Sequence, residues 1–314
     1  MKIFVAGATG AIGRPLIAAL VAAKHEVIGI TSRDEGLKVL RERGVEGVVL
    51  NTLDAEAVRA GLARIRPHAI IDELTSLPKR YTPEEMRKAA PRDRQLRLEG
   101  GGNLYKAAIE TGAKRYIVQS TGFFYGPGQG LASEEDPLAH SAPPGIAGSV
   151  ATYTQIENRL FSSPALEGVA LRYGFFYGPG TYQDPENGSV SEQLRQRQYP
   201  VIDPGTGVLS FIHVEDAAAA TVSALETHPG VYNIVDNDPV AMGIWLPAFA
   251  NFIAAPPPSH ITEQQAIEIA GPDAVYYATQ LRGASNEKAK NEFGFAPRRL
   301  EWLQAHRATA SLAE

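Results

Sequence analysis

Three glycines near the start of the chain, each three positions after the last, have the spacing of a phosphate-binding loop. It reads Gly7-Ala8-Thr9-Gly10-Ala11-Ile12-Gly13, between a predicted strand over 3–6 and a predicted helix over 13–23. In a βαβ unit, the first glycine permits the turn, the second lets the backbone approach a pyrophosphate, and the third allows close helix–strand contact. The helix N-terminus adds amide donors and a favourable dipole. The loop therefore predicts a dinucleotide site.

The residues after the second predicted strand bear on which dinucleotide binds. A carboxylate there would bond the 2′-hydroxyl of NAD, whereas an arginine accommodates the 2′-phosphate of NADP. The sequence is Ile30-Thr31-Ser32-Arg33-Asp34, with Thr31 at the expected carboxylate position. This favours NADP, with NAD as the alternative if Asp34 contacts the ribose and Arg33 is only a solvated surface residue.

A seven-residue repeat supplies aromatic side chains at two further strand ends. Gly-Phe-Phe-Tyr-Gly-Pro-Gly occurs at 122–128 and again at 174–180, each time directly after an apolar strand. Ligands of open α/β sheets bind at the carboxyl ends of strands, so two such ends would frame one crevice. The alternative is that Gly-Pro turns the chain and the aromatic residues only pack. We predict that Phe123, Tyr125 and Tyr177 contact the substrate.

The elements that must position these loops alternate along the first half of the chain. Short apolar runs, typical of strands buried on both faces, alternate with helical patterns, which indicates a parallel sheet covered by helices. The predicted fold is α/β, a doubly wound parallel (Rossmann) sheet with a smaller, mainly α substrate lobe. We assign residues 1–180 and 208–238 to the dinucleotide domain, and 181–207 and 239–314 to the lobe.

Composition excludes several classes of function. The 314 residues include 30 Lys+Arg, 35 Asp+Glu and no Cys, with a net charge of −5. The acidic balance disfavours a nucleic-acid reader, and zero Cys excludes disulfides, thiolate metal sites and Cys nucleophiles. We see no signal-peptide pattern and no apolar run of the roughly 20 residues that span a bilayer. We expect a cytoplasmic protein with no membrane partner and no metal site.

Several motifs together resemble the extended short-chain dehydrogenase/reductase family, the NAD(P)-dependent epimerase/dehydratase-like proteins. The resemblance covers nearly the whole chain. It rests on the glycine loop and on the segments Asn51-Thr52-Leu53-Asp54, Leu74-Thr75, Gly100-Gly101-Gly102-Asn103-Leu104, Ser120-Thr121-Gly122-Phe123-Phe124-Tyr125-Gly126, Leu171-Arg172-Tyr173-Gly174, Phe211-Ile212-His213-Val214-Glu215-Asp216 and Gly230-Val231-Tyr232-Asn233-Ile234.

The resemblance implies a role for each matching residue. Thr121 matches the catalytic Ser/Thr that hydrogen-bonds the substrate oxygen. Cofactor contacts are implied for Gly7, Thr9, Gly10, Ala11, Ile12 and Gly13 at the pyrophosphate, Asn51, Thr52 and Leu53 near the adenine, Leu74 and Thr75 under the middle of the cofactor, and Tyr173, Gly174 and Phe175 beside the nicotinamide; Thr31, Ser32 and Arg33 lie at the ribose by the argument above. Dimerisation through helices of the first lobe is also implied.

The chain departs from the family in its proton relay. Family members carry a Tyr and, four residues later, a Lys that lowers the Tyr pKa; none of the nine lysines here has a Tyr at that spacing. If Tyr153 is the family Tyr, Glu157 replaces the Lys, and a carboxylate would raise the Tyr pKa. If Glu157 instead matches a family Glu one turn after the Lys, Tyr153 stands at the Lys position and Ser149 at the Tyr position. The spacing from Glu157 to Arg172 favours this second register.

Without this pair, a different side chain would have to donate the proton to the substrate. Tyr125, Tyr153 and Tyr177 are candidates, and Tyr153 is the best because either register places it near the nicotinamide. The alternative is that Tyr153 only packs against the cofactor. Residues 129–150 suggest a loop over the crevice, before a helix predicted over 153–161. Arg195 and Arg197 either hold a phosphate or carboxylate or form a solvated helix face.

Three hypotheses for function remain. The first is an atypical NAD(P)-dependent oxidoreductase acting on a carbonyl or alcohol group of a small molecule. The second is an epimerase, isomerase or lyase that keeps NAD(P) tightly bound. The third is a non-catalytic NAD(P)-binding sensor or scaffold. The missing lysine favours the third, whereas Thr121 and the predicted crevice argue against it.

Overall fold

The computed structural model describes residues 1–304, and its strands account for most of the apolar runs in the sequence. In chain order the strands are β1 (Lys2–Ala6), β2 (Glu26–Thr31), β3 (Glu46–Val49), β4 (Ala69–Asp72), β5 (Arg115–Thr121), β6 (Glu167–Tyr173), β7 (Phe175–Tyr177), β8 (Val201–Ile202), β9 (Val208–Leu209), β10 (Phe211–His213), β11 (Gly230–Ile234), β12 (Val240–Ala241) and β13 (His260–Ile261).

Seven of these strands form one parallel sheet in the order β11-β6-β5-β4-β1-β2-β3. The chain moves outward from β1 to β3, then returns to β4 on the other side of β1 and continues to β11. The order therefore reverses beside β1, where a crevice opens at the carboxyl ends of the strands. The predicted doubly wound fold is confirmed.

The helices lie on both faces of this sheet and in the region beyond it. They are α1 (Gly13–Ala22), α2 (Asp34–Glu42), α3 (Ala55–Ile65), α4 (Pro83–Gln95), α5 (Gly101–Thr111), α6 (Pro144–Leu160), α7 (Ser189–Arg195), α8 (Val214–Ser223), α9 (Met242–Phe252), α10 (Glu263–Ala270), α11 (Pro272–Thr279) and α12 (Glu287–Phe293). Because side chains alternate along a strand, Ile3 and Val5 join the core under α1 and α8, whereas Phe4 and Ala6 join the core under α3 and α5.

A third apolar core lies outside the central sheet. It unites two segments that are distant in sequence, since β8 pairs with β13 and β9 pairs with β12. Trp245 and Trp302 are each 1% exposed within it. Strands β8, β12 and β13 lie in the segments assigned to the substrate lobe, whereas β9 lies in 208–238, which the prediction assigns to the dinucleotide domain. Residues 305–314 of the lobe lie outside the described residues. The domain boundaries themselves remain a prediction.

Two helices differ from the sequence prediction. Helix α6 begins at Pro144, nine residues before the predicted start, so the end of the loop predicted over 129–150 is helical. The reason is that Pro144 occupies the first turn of a helix, where its missing N–H costs no hydrogen bond. Helix α4 was not predicted, because its 13 residues present no buried side chain and so show no apolar stripe. Over residues 1–304, no helix combines the length and apolarity needed to cross a bilayer.

Candidate functional site

The glycine loop has the tight backbone that a phosphate cradle requires. Gly7 has a φ of +80°, and a Cβ built on it would lie 2.3 Å from the carbonyl oxygen of Glu73. A Cβ on Gly13 would lie 2.2 Å from the carbonyl oxygen of Gly7. The turn is closed by the Gly10 amide, which donates to the Gly7 carbonyl at 2.9 Å. Side chains larger than hydrogen would therefore break this path between β1 and α1.

The N-terminus of α1 has backbone amides to offer. No side chain caps it and its first turn holds no acidic residue, whereas α3, α4 and α10 are capped by Asp54, Thr82 and Thr262. Uncapped N–H groups and the positive end of the helix dipole favour an anion. Together with the glycine cradle, this donor set fits the diphosphate of a dinucleotide.

The end of β2 presents an arginine to solvent. The Thr31 hydroxyl is engaged with the backbone of Arg33, accepting from its N–H at 3.3 Å and donating to its carbonyl at 3.1 Å. Ser32 and Arg33 are exposed, and within residues 1–304 the Arg33 guanidinium makes no hydrogen bond. No carboxylate occupies the last position of the strand. The geometry leaves the Arg33 side chain available to a phosphate.

The other predicted cofactor contacts follow the next two strands. After β3, the Asn51 side chain accepts from the Leu53 amide at 3.2 Å, and the Thr52 carbonyl accepts from Asn103 at 2.9 Å. After β4, Leu74 is 9% exposed and Thr75 is exposed. These segments thus follow β3 and β4 at the carboxyl edge of the same sheet, and their contacts to a cofactor stay a prediction.

Thr121 is the last residue of β5 and carries an unused hydroxyl. The side chain is 3% exposed, and its Oγ1 has no hydrogen-bond partner in the described chain. Leaving a buried hydroxyl unpaired costs about 1–3 kcal/mol, so such groups are usually satisfied by a ligand or water. The neighbouring Ser120 is different, since its hydroxyl donates to Glu157 at 2.6 Å. Thr121 is therefore suited to donate a hydrogen bond to a bound molecule.

The two copies of the repeat meet through their first aromatic residues. Phe123 and Phe175 stack with ring centroids 4.1 Å apart and an interplanar angle of 22°. Both rings are half-buried. Phe124 packs edge-on against Phe123, with centroids at 4.7 Å, and also approaches Tyr153 at 6.4 Å. The predicted convergence of the repeats thus produces an aromatic wall beside Thr121.

Four tyrosines form a cluster that reaches this wall through Tyr153 and Tyr277. They are Tyr81, Tyr153, Tyr199 and Tyr277, all partly buried against the third apolar core. Tyr277 approaches both Phe124 and Phe175, with centroids 6.1 Å apart in each pair. Burial raises the pKa of Tyr277 well above its ordinary value, and its neighbours Tyr81 and Tyr153 raise it further. Among residues 1–304 none of the four hydroxyls has a hydrogen-bond partner, which leaves polar atoms for a ligand.

Helix α6 is fixed to the sheet by a buried ion pair. Both carboxylate oxygens of Glu157 accept from Arg172 of β6, at 2.8 and 2.7 Å. Tyr153 lies one turn earlier on the same helix, and Ser149 one turn earlier again, where its hydroxyl donates to the Gly145 carbonyl at 3.0 Å. The pair places Glu157 at the sheet, and the choice between the two registers stays a prediction.

Three of the tyrosines predicted at the site are buried. Tyr125 is 0% exposed, and its hydroxyl donates to Asn233 at 2.6 Å and accepts from Arg172 at 2.9 Å. Tyr177 is 2% exposed and packs edge-on against Trp302. The Tyr173 side chain is 1% exposed and its hydroxyl contacts Glu73 and Thr221. We therefore correct the prediction for Tyr125 and Tyr173, whose hydroxyls are paired inside the protein, so a cofactor contact by Tyr173 would have to come from its backbone. The Tyr177 hydroxyl is buried without a partner in the described chain, and its contact with a substrate stays a prediction.

Glu73 is an ionisable group that sequence reasoning did not identify. It directly follows β4, is 3% exposed, and its Oε2 has no partner in the described chain. Burial raises the pKa of Glu73 to about 8, although the hydrogen bond from Tyr173 opposes the rise. The carboxyl is consequently neutral at pH 7 in the folded protein.

Of the two arginines considered for anion binding, one has partners within the protein and the other is exposed. Arg195 donates to the carbonyls of Glu186 and Pro185 at 3.1 and 2.7 Å, and Arg197 is exposed. Arg282 donates to the carbonyls of Gln129, Gly130 and Leu131 and to Asp136. The contacts of Arg195 and Arg282 tie loops together, so these two guanidinium groups are not arranged around a free anion.

Comparison with known proteins places this geometry in context. A family model described as "NAD dependent epimerase/dehydratase family" matches residues 3–235. The chain is 36% identical to a 3-diazoavenalumate denitrifying reductase from a Streptomyces species, over 96% of this chain and 98% of that protein. It is 25% identical to a 4-hydroxy-2-methyl-3-oxo-4-farnesyl-3,4-dihydroquinoline-1-oxide ketoreductase from Stigmatella aurantiaca, over 95% and 92%.

A solved structure shares the whole architecture. The UDP-glucose 4-epimerase of Thermus thermophilus, determined in complex with NAD, superposes with a TM-score of 0.71 at 25% identity. The match covers 95% of this chain and 94% of that one. At this coverage the match includes both the central sheet and the third apolar core.

Proposed function

Because the chain belongs to the NAD dependent epimerase/dehydratase family, we propose that it is an NADPH-dependent reductase of a small aromatic molecule. Family membership and the two similar reductases make it an NAD(P)-dependent oxidoreductase. That the cofactor is NADPH and that the substrate is aromatic are the further parts of the proposal. The observation that carries the proposal is the buried, unpartnered hydroxyl of Thr121 beside an aromatic wall.

The choice of NADPH is supported by the end of β2. Arg33 is exposed there with an unengaged guanidinium, and Thr31 stands where a carboxylate would bond an NAD ribose. Arginine binds phosphate through a planar fork of donors, which suits a 2′-phosphate. The glycine loop and the N-terminus of α1 would hold the diphosphate. When bound, NADPH supplies the reducing equivalents, which is chemistry of the cofactor.

Thr121 and Tyr153 are proposed to act on the reacting group. The Thr121 hydroxyl donates a hydrogen bond to the substrate atom on which negative charge grows during reduction. A donor fixed in a buried site costs no reorganisation at that moment, and removing one such donor typically costs about 10²–10³ in kcat. Tyr153 then donates a proton to the same atom. Its phenol is protonated at neutral pH, since burial raises the pKa of Tyr153.

An aromatic substrate is supported by what lines the crevice. Phe123, Phe124 and Phe175 present ring faces and edges, while the tyrosine hydroxyls offer polar atoms at its margin. Aromatic pairs gain about 0.5–1.5 kcal/mol beyond their buried area. A nucleotide sugar would instead need cations for its diphosphate, and Arg195 and Arg282 are engaged with loop carbonyls. The similar ketoreductase from Stigmatella aurantiaca acts on a dihydroquinoline.

The test is nicotinamide absorbance with defined probes. NADPH would be mixed with aromatic ketones, quinones and diazonium-bearing aromatic acids, and in parallel with aliphatic ketones and UDP-glucose. We expect NADPH oxidation with at least one aromatic class and none with UDP-glucose. Conversion of UDP-glucose without net absorbance change would establish the epimerase alternative. Tight NADPH binding with no turnover of any probe would favour the sensor.

A further inference from the structure

A buried guanidinium beside Tyr153 comes from another part of the chain. Arg97 lies in a π-helical turn, Leu96–Gly100, inserted between α4 and α5. Its side chain is 5% exposed and its Nε donates to Asp93 at 2.8 Å, in an ion pair whose carboxylate is 14% exposed. Arginine stays charged in proteins, so this site holds a permanent positive charge away from water.

The π-helical turn is held in place from two sides. Arg159 of α6 donates to the carbonyls of Leu98 and Arg97, at 2.8 and 3.3 Å. On the other side, the second oxygen of Asp93 accepts from the backbone N–H of Ser76, at 2.6 Å, in the loop after β4. The cation is therefore anchored both to the helix that carries Tyr153 and to the edge of the sheet. Single-turn π-bulges occur frequently at functional sites.

The guanidinium contacts both candidate catalytic elements. Its carbon lies 5.2 Å from the centroid of the Tyr153 ring, in cation–π contact. Its Nη1 approaches the Gln119 side chain at 3.4 Å. Gln119 and Thr121 are two residues apart on β5, so their side chains leave the strand on the same face. Arg97 thus contacts the Tyr153 ring and reaches the strand that ends in Thr121.

The charges around Tyr153 act in opposite directions. Burial raises the pKa of Tyr153, the Arg97 charge lowers it, and Asp93 raises it again. From α11, Tyr277 is the ionisable neighbour, and Arg94 of α4 is bound to the adjacent Thr152 at 3.0 Å. Arg97 is the group that favours the phenolate form of Tyr153.

We propose that Arg97 is a positioning residue that holds the Tyr153 ring and stabilises its phenolate, in place of the lysine that this chain lacks on α6. This rests on the proposed reductase function. As the substrate is reduced, the Tyr153 O–H bond breaks and its proton passes to the substrate atom that carries the growing negative charge. The phenolate remains against the guanidinium until solvent returns a proton.

The first measurement needs no substrate. The full-length protein, labelled at the tyrosine Cζ with ¹³C and saturated with NADP⁺, would be titrated with alkali, and the Tyr153 signal assigned from a Tyr153→Phe variant. We expect the Tyr153 pKa in Arg97→Met to lie roughly 1–3 units above that of wild type, since a cation within about 4–6 Å produces shifts of that size. Arg97→Lys restores most of the difference. Arg94→Met, which also removes an α4–α6 contact, leaves the pKa unchanged.

The second measurement separates a role through Tyr153 from a merely structural one. Arg97→Met should lower kcat roughly 10- to 100-fold, the range of a weakened general acid, with KM little changed. In a Tyr153→Phe background the same substitution should cost less than about 2-fold, because the group it acts through is gone. Arg97→Lys guards against a folding defect, since it keeps the charge beside Asp93.

The outcomes distinguish the two proposals. An unchanged Tyr153 pKa in Arg97→Met overturns the inference, even if the enzyme reduces aromatic probes. A rise in KM alone, confined to anionic substrates, also overturns it, because Arg97 would then bind substrate. If the pKa moves as expected but no probe is turned over by wild type, the coupling of Arg97 to Tyr153 stands and the reductase proposal fails.

Discussion

Phe123 and Phe175 stack face to face, 4.1 Å apart, and they occupy the same position in two identical seven-residue repeats. The stack follows from the sheet, since β5 and β6 are adjacent and parallel, with Thr121 paired to Tyr173. Phe123 and Phe175 each lie two residues after this pair, so the parallel strands bring them side by side. The repeats diverge afterwards, because Tyr125 and Tyr177 enter two different apolar cores. A duplicated motif therefore builds one aromatic wall and two unrelated structural contacts.

Phe123→Leu should weaken the binding of aromatic substrates specifically. Leucine keeps most of the apolar volume but loses the ring stack, which is worth about 0.5–1.5 kcal/mol. We expect KM for an aromatic ketone to rise about 2- to 10-fold at saturating NADPH, with KM for an aliphatic ketone unchanged. Phe252→Leu, at a ring that is 37% exposed on α9, is the matched control. Equal effects on both ketones would show that the wall does not recognise aromatic rings.

Thr121→Val should abolish most turnover without affecting the fold. Valine has nearly the same shape, and the lost hydroxyl has no partner in the described chain, so the substitution breaks no internal hydrogen bond. We expect kcat to fall about 10²–10³-fold while the dissociation constant for NADPH, followed by its fluorescence, stays the same. Thr121→Ser should retain most of the activity. Normal turnover by the valine variant would remove Thr121 from the mechanism.

Arg33→Ser should change the preference between cofactors. A hydrogen bond to a charged group contributes about 1.5–3 kcal/mol, so NADPH binding should weaken about 10- to 100-fold. NADH binding should change little, because it lacks the 2′-phosphate. Arg41→Ser, at another exposed arginine of α2, controls for the loss of surface charge. Calorimetric titration with both cofactors decides the matter, and equal loss of affinity for the two would contradict a role at the 2′-phosphate.

Glu73→Gln should flatten the dependence of stability on pH. In the unfolded chain Glu73 titrates near 4.5, whereas burial raises the pKa to about 8 in the folded protein. The folded state therefore binds the extra proton across this window, and wild type loses stability as pH rises from about 4.5 to about 8. We expect the variant to gain on the order of 4 kcal/mol relative to wild type between about pH 5 and pH 9.

Denaturant unfolding at several pH values measures this difference directly. Asp236, whose pKa burial raises to about 7, titrates in the same window in both proteins, so its contribution cancels when the two curves are subtracted. Glu85→Gln, at an exposed position of α4, should give a curve parallel to that of wild type. If the stability curve of Glu73→Gln also runs parallel to that of wild type, Glu73 is ionised in the folded protein at neutral pH.

Much of the framework could be predicted because its signals are local. Alternating apolar runs and helical patterns indicated the parallel sheet, since each strand must bury both of its faces. The glycine loop was identifiable because only a residue without a side chain tolerates the backbone at Gly7. The absence of a Tyr and Lys four residues apart is also visible in the sequence, and it makes Tyr153 the candidate acid.

Local patterns did not reveal how distant segments come together. Helix α4 shows no apolar stripe, and the π-helical turn after it follows no periodicity, so nothing in the sequence marked Arg97 as a neighbour of Tyr153. Tyr81, Tyr199 and Tyr277 come from three separate segments and meet only through the third apolar core. Tyr125 was predicted at the substrate and is instead buried, because its hydroxyl is hydrogen-bonded to the side chains of Arg172 and Asn233.

The sequence by itself determined the fold class, the dinucleotide loop and the lack of the family's lysine. Each depends on residues that are neighbours in the chain or repeat at a fixed period. Only the tertiary structure decided which aromatic rings line the crevice, which hydroxyl is left unpaired, and where a buried cation lies in relation to Tyr153. Those relationships depend on contacts between segments that are distant in the chain. Only the packing of the whole chain brings such segments together.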